Sequence, residues 1–322
     1  MTQIYLDNAA TTQVDKKVLK AMLPYFSEKF GNASSQHLIG QEAKRALEES
    51  RTTIARSINA KSDEIIFTSS GTESNNLALK GLFFANPDKK HIITTKIEHD
   101  SVLNICKWLE EQGAKITYLD VDSQGFVNPD EVKQAINDKT LVVSIIHANN
   151  EIGTIQPIEQ IGKICREKNV YFHTDACQSF TKTEINVKKQ NIDMITLNAH
   201  KIHGPKGVGA LYVSEDVTIE KITDGGFQEF NLRGGTENVS GIAGFGKACE
   251  IFSDEDVERI KYLRNDLYEQ FKSGLKGVQL NGSSDFSRRI PNNLNLSFDY
   301  IEGESVVLHL DMRGISVITG SA

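Results

Sequence analysis

The sequence predicts an α/β fold built on a mostly parallel sheet. Short apolar runs rich in β-branched residues alternate with longer segments of helical periodicity, and this strand-helix unit recurs four or five times before residue 200. Right-handed crossovers between parallel strands bring the carboxyl ends of the strands to one edge of the sheet. Polar residues directly follow five of these runs, so we expect the chemistry at that edge.

Composition indicates a soluble protein with more than one domain. The 322 residues exceed what one hydrophobic core usually supports, which predicts a large domain and part of a second. Apolar residues make up 39% of the chain and charged residues 25%, ordinary values for a soluble protein. The net charge is −7 without a basic stripe, which argues against nucleic acid as the primary ligand.

Cysteine spacing and the N-terminal sequence indicate a cytoplasmic location. Cys106, Cys165, Cys177 and Cys249 are widely separated and form no CxxC pair, so they are typical of reduced thiols rather than a disulfide or zinc framework. The opening MTQIYLDNAATT lacks the basic and apolar regions of a signal peptide. No window approaches the eighteen apolar residues of a membrane span, so no membrane association is predicted.

The elements follow from local patterns. Apolar or β-branched runs predict strands at residues 4–6, 65–68, 91–95, 116–119, 141–146, 170–172 and 194–197. Apolar spacing and N-terminal capping residues predict helices at residues 40–58, 102–112, 158–168 and 252–274, with others starting at Thr72 and at Asn128-Pro129-Asp130. Residues 294–298 and 306–310 begin a smaller α+β domain.

Asp175 and Lys201 are the central candidate residues, because each follows a predicted strand. They could form a simple ion pair. However, Lys201 precedes a loop containing Gly204, Gly207 and Gly209, whose freedom lets the backbone approach a flat ligand. A desolvated lysine can form a Schiff base with an aldehyde, and a carboxylate can hold the proton of a pyridine nitrogen. The pair therefore suggests pyridoxal phosphate (PLP).

Three further strand ends carry candidates. The Ser/Gly loop leading to Gly71 and Thr72 opens a helix and could bind an anion, although any capped helix looks similar. It lacks the spacing of a nucleotide-binding P-loop. His99 could stack on a pyridine ring and move protons, or be a structural histidine. Asn150 could belong only to a polar turn.

The motifs DAxQ at 175–178, with Cys177 at the variable position, AHK at 199–201 and HGPKGVGAL from His203 resemble those of cysteine desulfurases. That family belongs to the fold-type-I, class-V aminotransferase-like enzymes. The resemblance implies an N-terminal arm (1–12), a PLP-binding large domain with a mainly parallel seven-stranded sheet (13–250) and an incomplete α+β small domain (251–322). It also implies a homodimer with shared sites.

The resemblance implies catalytic roles for Lys201 and His99. Lys201 would carry the cofactor and move the substrate's carbon proton, while His99 would stack on the ring. Asn198 stands where the family usually has serine, and its amide can still donate a hydrogen bond. Thr236, supported by Arg233, would reach the phosphate of the neighbouring subunit. The full set of expected cofactor-binding residues is Gly71, Thr72, His99, Asn150, Asp175, Gln178, Asn198, His200, Lys201 and Thr236.

The family's reaction converts L-cysteine to L-alanine and passes the sulfur on as a persulfide. The resemblance therefore implies a sulfur-acceptor protein, either an iron-sulfur scaffold or a tRNA-thiolating enzyme. A selenocysteine lyase or another class-V enzyme would share the same central residues. A non-catalytic PLP-binding dimeric remnant is the remaining alternative.

The C-terminal GISVITGSA resembles GISVSTGSAC, in which the next residue is the nucleophilic cysteine of a mobile loop. The sequence ends at Ala322, and none of its four cysteines matches that position. Truncation, a stop codon, or a UGA codon for selenocysteine would each explain the ending, and sequencing the gene past Ala322 separates them. We expect this chain to bind PLP but to have little or no persulfide-forming activity.

Overall fold

A seven-stranded sheet forms the centre of the computed structural model, which describes residues 3–320. The strands of the chain are β1 (Ile4–Tyr5), β2 (Ile65–Thr68), β3 (His91–Thr95), β4 (Lys115–Leu119), β5 (Thr140–Ser144), β6 (Tyr171–Asp175), β7 (Met194–Asn198), β8 (Gly209–Val213), β9 (Val278–Leu280), β10 (Leu296–Phe298) and β11 (Ile315–Ser316). The helices are α1 (Lys16–Met22), α2 (Pro24–Ser27), α3 (Leu38–Ser57), α4 (Gly71–Ala85), α5 (Asp100–Glu111), α6 (Pro129–Ala135), α7 (Ile158–Lys168), α8 (Val239–Ile251), α9 (Asp254–Gly274) and α10 (Gly303–Asp311).

The sheet has the strand order β2-β8-β7-β6-β5-β3-β4. Only β8 runs antiparallel to its neighbours, so six strands point the same way. The prediction of a mainly parallel sheet is confirmed. The carboxyl ends of β2, β3, β5, β6 and β7 consequently lie at one edge.

Helices cover both faces of the sheet, because adjacent strand residues alternate between two apolar clusters. Ile93 packs with the cluster that includes residues of α3, α7 and α8, whereas Ile92 packs with the cluster that includes residues of α4 and α5. Both side chains are fully buried. Burial on both faces is the ordinary arrangement for parallel strands and explains their apolar sequences.

Capping residues set several helix starts. The Ser70 hydroxyl accepts from the Glu73 amide at the start of α4, and Asn128 caps α6 with Pro129 in its first turn. Ser253 and Asp256 form a capping box on α9. These pairings satisfy amide groups that have no partner inside their helices.

The C-terminal segment pairs with the start of the chain. Strand β11 forms a short parallel pair with β1, while β9 and β10 form a separate antiparallel pair. Of the two apolar runs expected to begin the smaller domain, the first contains β10 and the second lies within helix α10. Ala322, beside the position where the resemblance implies the nucleophilic cysteine, lies outside the described residues.

Within residues 3–320, no helix has both the length and the apolar character needed to cross a membrane.

Candidate active site

The candidate residues gather at the carboxyl edge of the sheet. Asp175 is the last residue of β6, and Lys201 lies three residues beyond the end of β7. Thr72, His99 and Asn150 follow β2, β3 and β5. The topology thus brings five separately predicted residues to one side of the molecule.

Asp175 is buried, and both of its carboxylate oxygens accept a hydrogen bond. The Cys177 amide donates to Oδ1 at 2.9 Å. The Asn75 side chain, from the first turns of α4, donates to Oδ2 at 2.8 Å. Two donors fix the plane of the carboxylate and leave lone pairs for a further donor.

Lys201 is also buried but forms no salt bridge with Asp175. In the described part of the chain its amine makes no hydrogen bond or ion pair. A second buried amine, that of Lys182, donates to the Gln178 carbonyl at 2.9 Å, and burial together with Lys201 lowers its pKa to about 7. The simple ion-pair interpretation therefore does not describe this pair, and the Lys201 amine is available to a ligand.

The start of α4 presents free backbone donors. The amides of Gly71 and Thr72 find no acceptor among the described residues, because the Ser70 side chain and carbonyl are used by Glu73 and Ser74. Free amides and the positive end of the helix dipole favour an anion. A Cβ on Gly71 would lie 2.6 Å from the Cys177 sulfur, so only glycine fits there.

Arg233 connects the loop before α8 to this helix. Its guanidinium pairs with Glu73 at 2.9 Å. Burial favours the neutral acid, but hydrogen bonds from Arg233 and Ser69 hold the pKa of Glu73 below its usual value. Thr236, three residues further on, is exposed, and its hydroxyl makes no hydrogen bond within residues 3–320.

His99 caps α5 with its ring. The Ser101 amide donates to His99 Nδ1 at 3.1 Å, and Ser101 Oγ lies 2.9 Å from the same nitrogen. Ser101 in turn accepts from Asn75 at 2.8 Å. His99 is exposed, so one face of the ring is open to a ligand.

Glu98, beside His99, is fully buried. The Thr95 hydroxyl and the Ile146 amide both donate to Oε1, while Oε2 has no hydrogen-bond partner in the described region. Burial raises the pKa of Glu98 to about 8, and the nearby Asp175 acts in the same direction. This carboxyl is therefore uncharged at neutral pH.

The two asparagines after β5 differ in their contacts. Asn149 is buried; its oxygen accepts from the Glu151 and Ile152 amides, and its nitrogen donates to the Ile97 carbonyl. The Asn150 side chain has no hydrogen bond among the described residues and is partly exposed. Asn149 thus shapes the turn, and Asn150 is free to meet a ligand.

Three other predicted residues are Gln178, Asn198 and His200. Asn198 and His200 lie within three residues of Lys201 in the sequence, and the Gln178 carbonyl accepts from Lys182. Gln178 donates to the Ala9 carbonyl at 3.0 Å, while its oxygen is buried and without a partner. The Asn198 oxygen is likewise buried and unpaired. His200 contacts the Thr11 hydroxyl, and burial, with three nearby lysines, lowers its pKa to about 4.

An open cavity of about 270 Å³ flanks this edge. It lies between the N-terminal arm, the Ser69-Ser70 loop and the Gly-rich loop, and its lining includes His200. It does not reach Asp175 or His99.

All four cysteines are buried and free. Burial raises the pKa of the Cys106 thiol to about 12 and raises those of Cys165, Cys177 and Cys249 above their ordinary values. Since the thiolate is the reactive form, none of these thiols is suited to be a nucleophile.

Sequence comparison places this chain in a known family. The signature of the aminotransferase class-V family matches residues 4–322, nearly the whole chain. A cysteine desulfurase IscS of Dictyoglomus turgidum is 52% identical over 99% of this chain and 82% of its own length. The chain belongs to the class-V aminotransferase family, in its cysteine desulfurase branch.

Solved structures agree with this assignment. A NifS-like protein superposes with a TM-score of 0.94 at 39% identity, covering 99% of this chain and 88% of its own. A structure described as SspA in complex with cysteine gives 0.87 at 38% identity, covering 100% and 90%. Class-V cysteine desulfurases depend on PLP, so PLP is the cofactor of this desulfurase-family enzyme.

The residues present fit PLP. The ligand needs an amine, a carboxylate, acceptors for its hydroxyl and donors for its phosphate, and each is found at the edge. Buried polar groups normally have a hydrogen-bond partner. The Gln178 oxygen and the Gly71 and Thr72 amides have none within residues 3–320, which indicates that a ligand supplies their partners.

Sequence reasoning missed Asn75, Ser101, Glu98 and Lys182, all of which contact the predicted residues or their neighbours. Asn75 carries no local signal, because it lies in the polar opening of α4, GTESNN at 71–76, and its partner Asp175 is 100 residues away. The other three carry no pattern that separates them from ordinary polar residues.

Proposed function

We propose that this class-V protein is a PLP-dependent cysteine desulfurase that takes L-cysteine to L-alanine and transfers the sulfur to a protein acceptor. The observation that carries the proposal is that a buried Lys201 amine without a partner in residues 3–320 and a doubly hydrogen-bonded Asp175 carboxylate lie at the same edge of the sheet. The solved complex of a structural neighbour, SspA, with cysteine supports the choice of substrate.

The proposed cofactor contacts follow from the donors and acceptors at the edge. The Gly71 and Thr72 amides, Asn198 and His200 would hold the phosphate, together with Thr236 of the partner subunit. Gln178 Oε1 would accept from the ring hydroxyl, His99 would stack on the ring, and Asn150 would meet the ring oxygen and the substrate carboxylate. We assign this cofactor site to residues 13–250 and treat 251–322 as part of a second domain.

When bound, PLP supplies an aldehyde that reacts with amines and a ring that withdraws electrons from the substrate. Asp175 keeps a proton on the pyridine nitrogen through its carboxylate. Lys201 Nζ would hold the cofactor covalently and, once released, would take and return the proton on the substrate's α-carbon. His99 Nε2 serves proton transfer at the open side of the site. Because no thiol within residues 3–320 is exposed and ionisable, we place the sulfur-accepting nucleophile elsewhere.

The acceptor of the sulfur is proposed to be a protein of iron-sulfur assembly or tRNA thiolation. Relatives carry the name IscS, which supports the first of these. The net charge of −7 makes direct binding of nucleic acid unfavourable.

A homodimer is proposed on the basis of exposed apolar side chains. Helices α1, α2 and α3 all pack against α8, and they leave Phe26 and Leu38 62% and 79% exposed. Phe227, in the loop that carries Arg233 and Thr236, is 89% exposed. Large apolar side chains exposed on neighbouring elements are typical of an interface.

Visible absorption of the purified chain tests the cofactor site. We expect a band that appears with PLP, shifts on addition of L-cysteine, and is lost in Lys201→Ala, because the amine is the point of covalent attachment. Lys206→Ala, an exposed lysine five residues away, should keep the wild-type spectrum.

Two outcomes would contradict the proposal. One is a Lys201→Ala variant that keeps the same cysteine-sensitive band. The other is a wild-type band that L-cysteine leaves unchanged, which would remove cysteine as the substrate but leave PLP binding intact.

A further inference from the structure

A chain of hydrogen bonds joins Asp175 to His99 through two side chains that have no role in the proposed function. The Asn75 nitrogen donates to Asp175 Oδ2 and to Ser101 Oγ, both at 2.8 Å. Ser101 Oγ lies 2.9 Å from His99 Nδ1. Three elements, α4, α5 and β6, meet in these contacts, and Asn75 at their centre is fully buried.

The direction of each bond in this chain is fixed by chemistry. An amide nitrogen only donates, so Asn75 uses both of its hydrogens on Asp175 and Ser101. Ser101 Oγ accepts there, and its own hydrogen is left for His99 Nδ1. The Ser101 backbone amide, which also can only donate, points at the same nitrogen at 3.1 Å.

The reverse orientation of Asn75 is excluded by its neighbour. Turning the amide over would place Asn75 Oδ1 against the Asp175 carboxylate, opposing two acceptors. As observed, Oδ1 has no hydrogen-bond partner in the described part of the chain, so the orientation is set by the two donated bonds alone. Asp175 therefore determines, through Asn75, which way the Ser101 hydroxyl points.

We propose that Asn75 and Ser101 are positioning residues that hold the His99 ring in its Nε2–H tautomer. Two donors face Nδ1, so that nitrogen keeps its lone pair and the ring proton resides on Nε2. This inference rests on the proposed function for the placement of His99 against the cofactor. In the proposed active site, an Nε2–H tautomer would make His99 a proton donor towards the substrate. Asn75 would also orient the Asp175 carboxylate, which would bind the protonated ring nitrogen of the cofactor.

Nuclear magnetic resonance of the cofactor-free chain tests the proposal. With ¹⁵N-labelled histidine, the ring signals of His99 are identified among the eight histidines by their loss in His99→Gln. We expect the Nε2–H tautomer in the wild type. Ser101→Ala and Asn75→Ala should each lower the ratio of the Nε2–H to the Nδ1–H form about five-fold, the equivalent of one hydrogen bond.

The controls separate positioning from packing. Ser101→Thr keeps a hydroxyl and should keep the wild-type ratio. Asn76→Ala removes a neighbouring asparagine of α4 whose side chain bonds, within residues 3–320, only to the Thr72 carbonyl, and should have no effect. A change of the tautomer ratio in Asn75→Ala is stronger evidence for positioning than the same change in Ser101→Ala, because Asn75 does not contact His99.

An Nδ1–H tautomer in the wild type would overturn the proposal, as would Asn75→Ala and Asn76→Ala giving the same ratio. If Asn75→Ala does not fold, the comparison of Ser101→Ala with Ser101→Thr decides, and equal ratios refute the proposal. Since the measurement needs no cofactor, a fixed tautomer in a chain that fails to bind PLP would refute the proposed function alone.

Discussion

Buried titratable side chains around the candidate site should make stability depend on pH. The pKa of Glu98 is raised to about 8 by burial, from an ordinary value of 4.5. Burial acts in the opposite sense on His147 and His173, lowering each pKa to about 4. These histidines destabilise the fold as pH falls through their ordinary range, because only the unfolded chain can bind the extra protons.

Glu98 has the reverse dependence on pH. The folded protein keeps this proton up to about pH 8, whereas the unfolded chain releases it near 4.5. Folding therefore binds a proton in this window, and the contribution of Glu98 to stability is full below pH 4.5 and is lost as pH rises towards 8.

Glu98→Gln should isolate this effect, since glutamine resembles the protonated acid at every pH. We expect the variant to match the wild type near pH 5 and to exceed its free energy of unfolding by about 1–3 kcal/mol near pH 8. Urea unfolding of the cofactor-free proteins measures the difference in free energy of unfolding between the variant and the wild type. The contributions of His147 and His173 cancel in this difference, because both proteins contain them. The exposed Glu111→Gln is the control; a Glu98→Gln difference that does not change with pH would show that Glu98 is ionised in the fold.

Among secondary-structure elements, the sequence predicts the strands well and the contacts between them poorly. The bounds of β2, β3 and α7 agree with the structure because an apolar run ends at a polar or capping residue in each case. Asp175 and Lys201 were recognisable because they follow such runs. Asn75 and Glu98 were not, since their importance comes from partners up to 100 residues away, which no local pattern reveals.

The loop before α8 depends on one buried ion pair. Glu229, Phe230 and Asn231 have φ angles of 45°, 57° and 65°, a left-handed conformation that is unfavourable for residues other than glycine. Both Glu229 oxygens accept from Arg51 of α3 at 2.8 Å, and the Phe67 amide donates to one of them. This pair fixes the loop that carries Arg233 and Thr236.

Arg51→Met should lower the free energy of unfolding by about 3–5 kcal/mol, because it leaves the Glu229 charge buried without its partner. Adding Glu229→Gln should recover part of that loss, since the uncompensated charge is removed. Urea unfolding measures both, with the exposed Arg45→Met of the same helix as control. Equal stabilities for the Arg51 and Arg45 variants would show that the ion pair does not hold the loop.

At the scale of the whole molecule, the proposed homodimer assigns Thr236 to the cofactor site of the partner subunit. Arg233 is bound to Glu73 of its own chain, but Thr236 is exposed and its hydroxyl has no partner within residues 3–320. Exposed apolar side chains lie in the same loop and on α1–α3. A two-fold dimer would bury this surface and would bring the same loop of each subunit to the other's site.

Mixing two variants, at a PLP concentration that saturates the wild-type chain but not Thr236→Ala with its lost phosphate contact, distinguishes a shared site from a self-contained one. In Lys201→Ala dimers both sites lack the amine, and in Thr236→Ala dimers both lack the threonine. If Thr236 reaches the partner's phosphate, a mixed dimer contains one site missing both residues and one site with both, because the two losses fall in the same site under two-fold symmetry. Unfolding, mixing and refolding the two variants should then restore the cysteine-sensitive absorption band at one site per mixed dimer. If Thr236 serves its own chain, every site in the mixed dimer lacks one residue and no band returns.

The control for refolding is Thr236→Ser, which keeps the hydroxyl and should bind PLP without being mixed with a second variant.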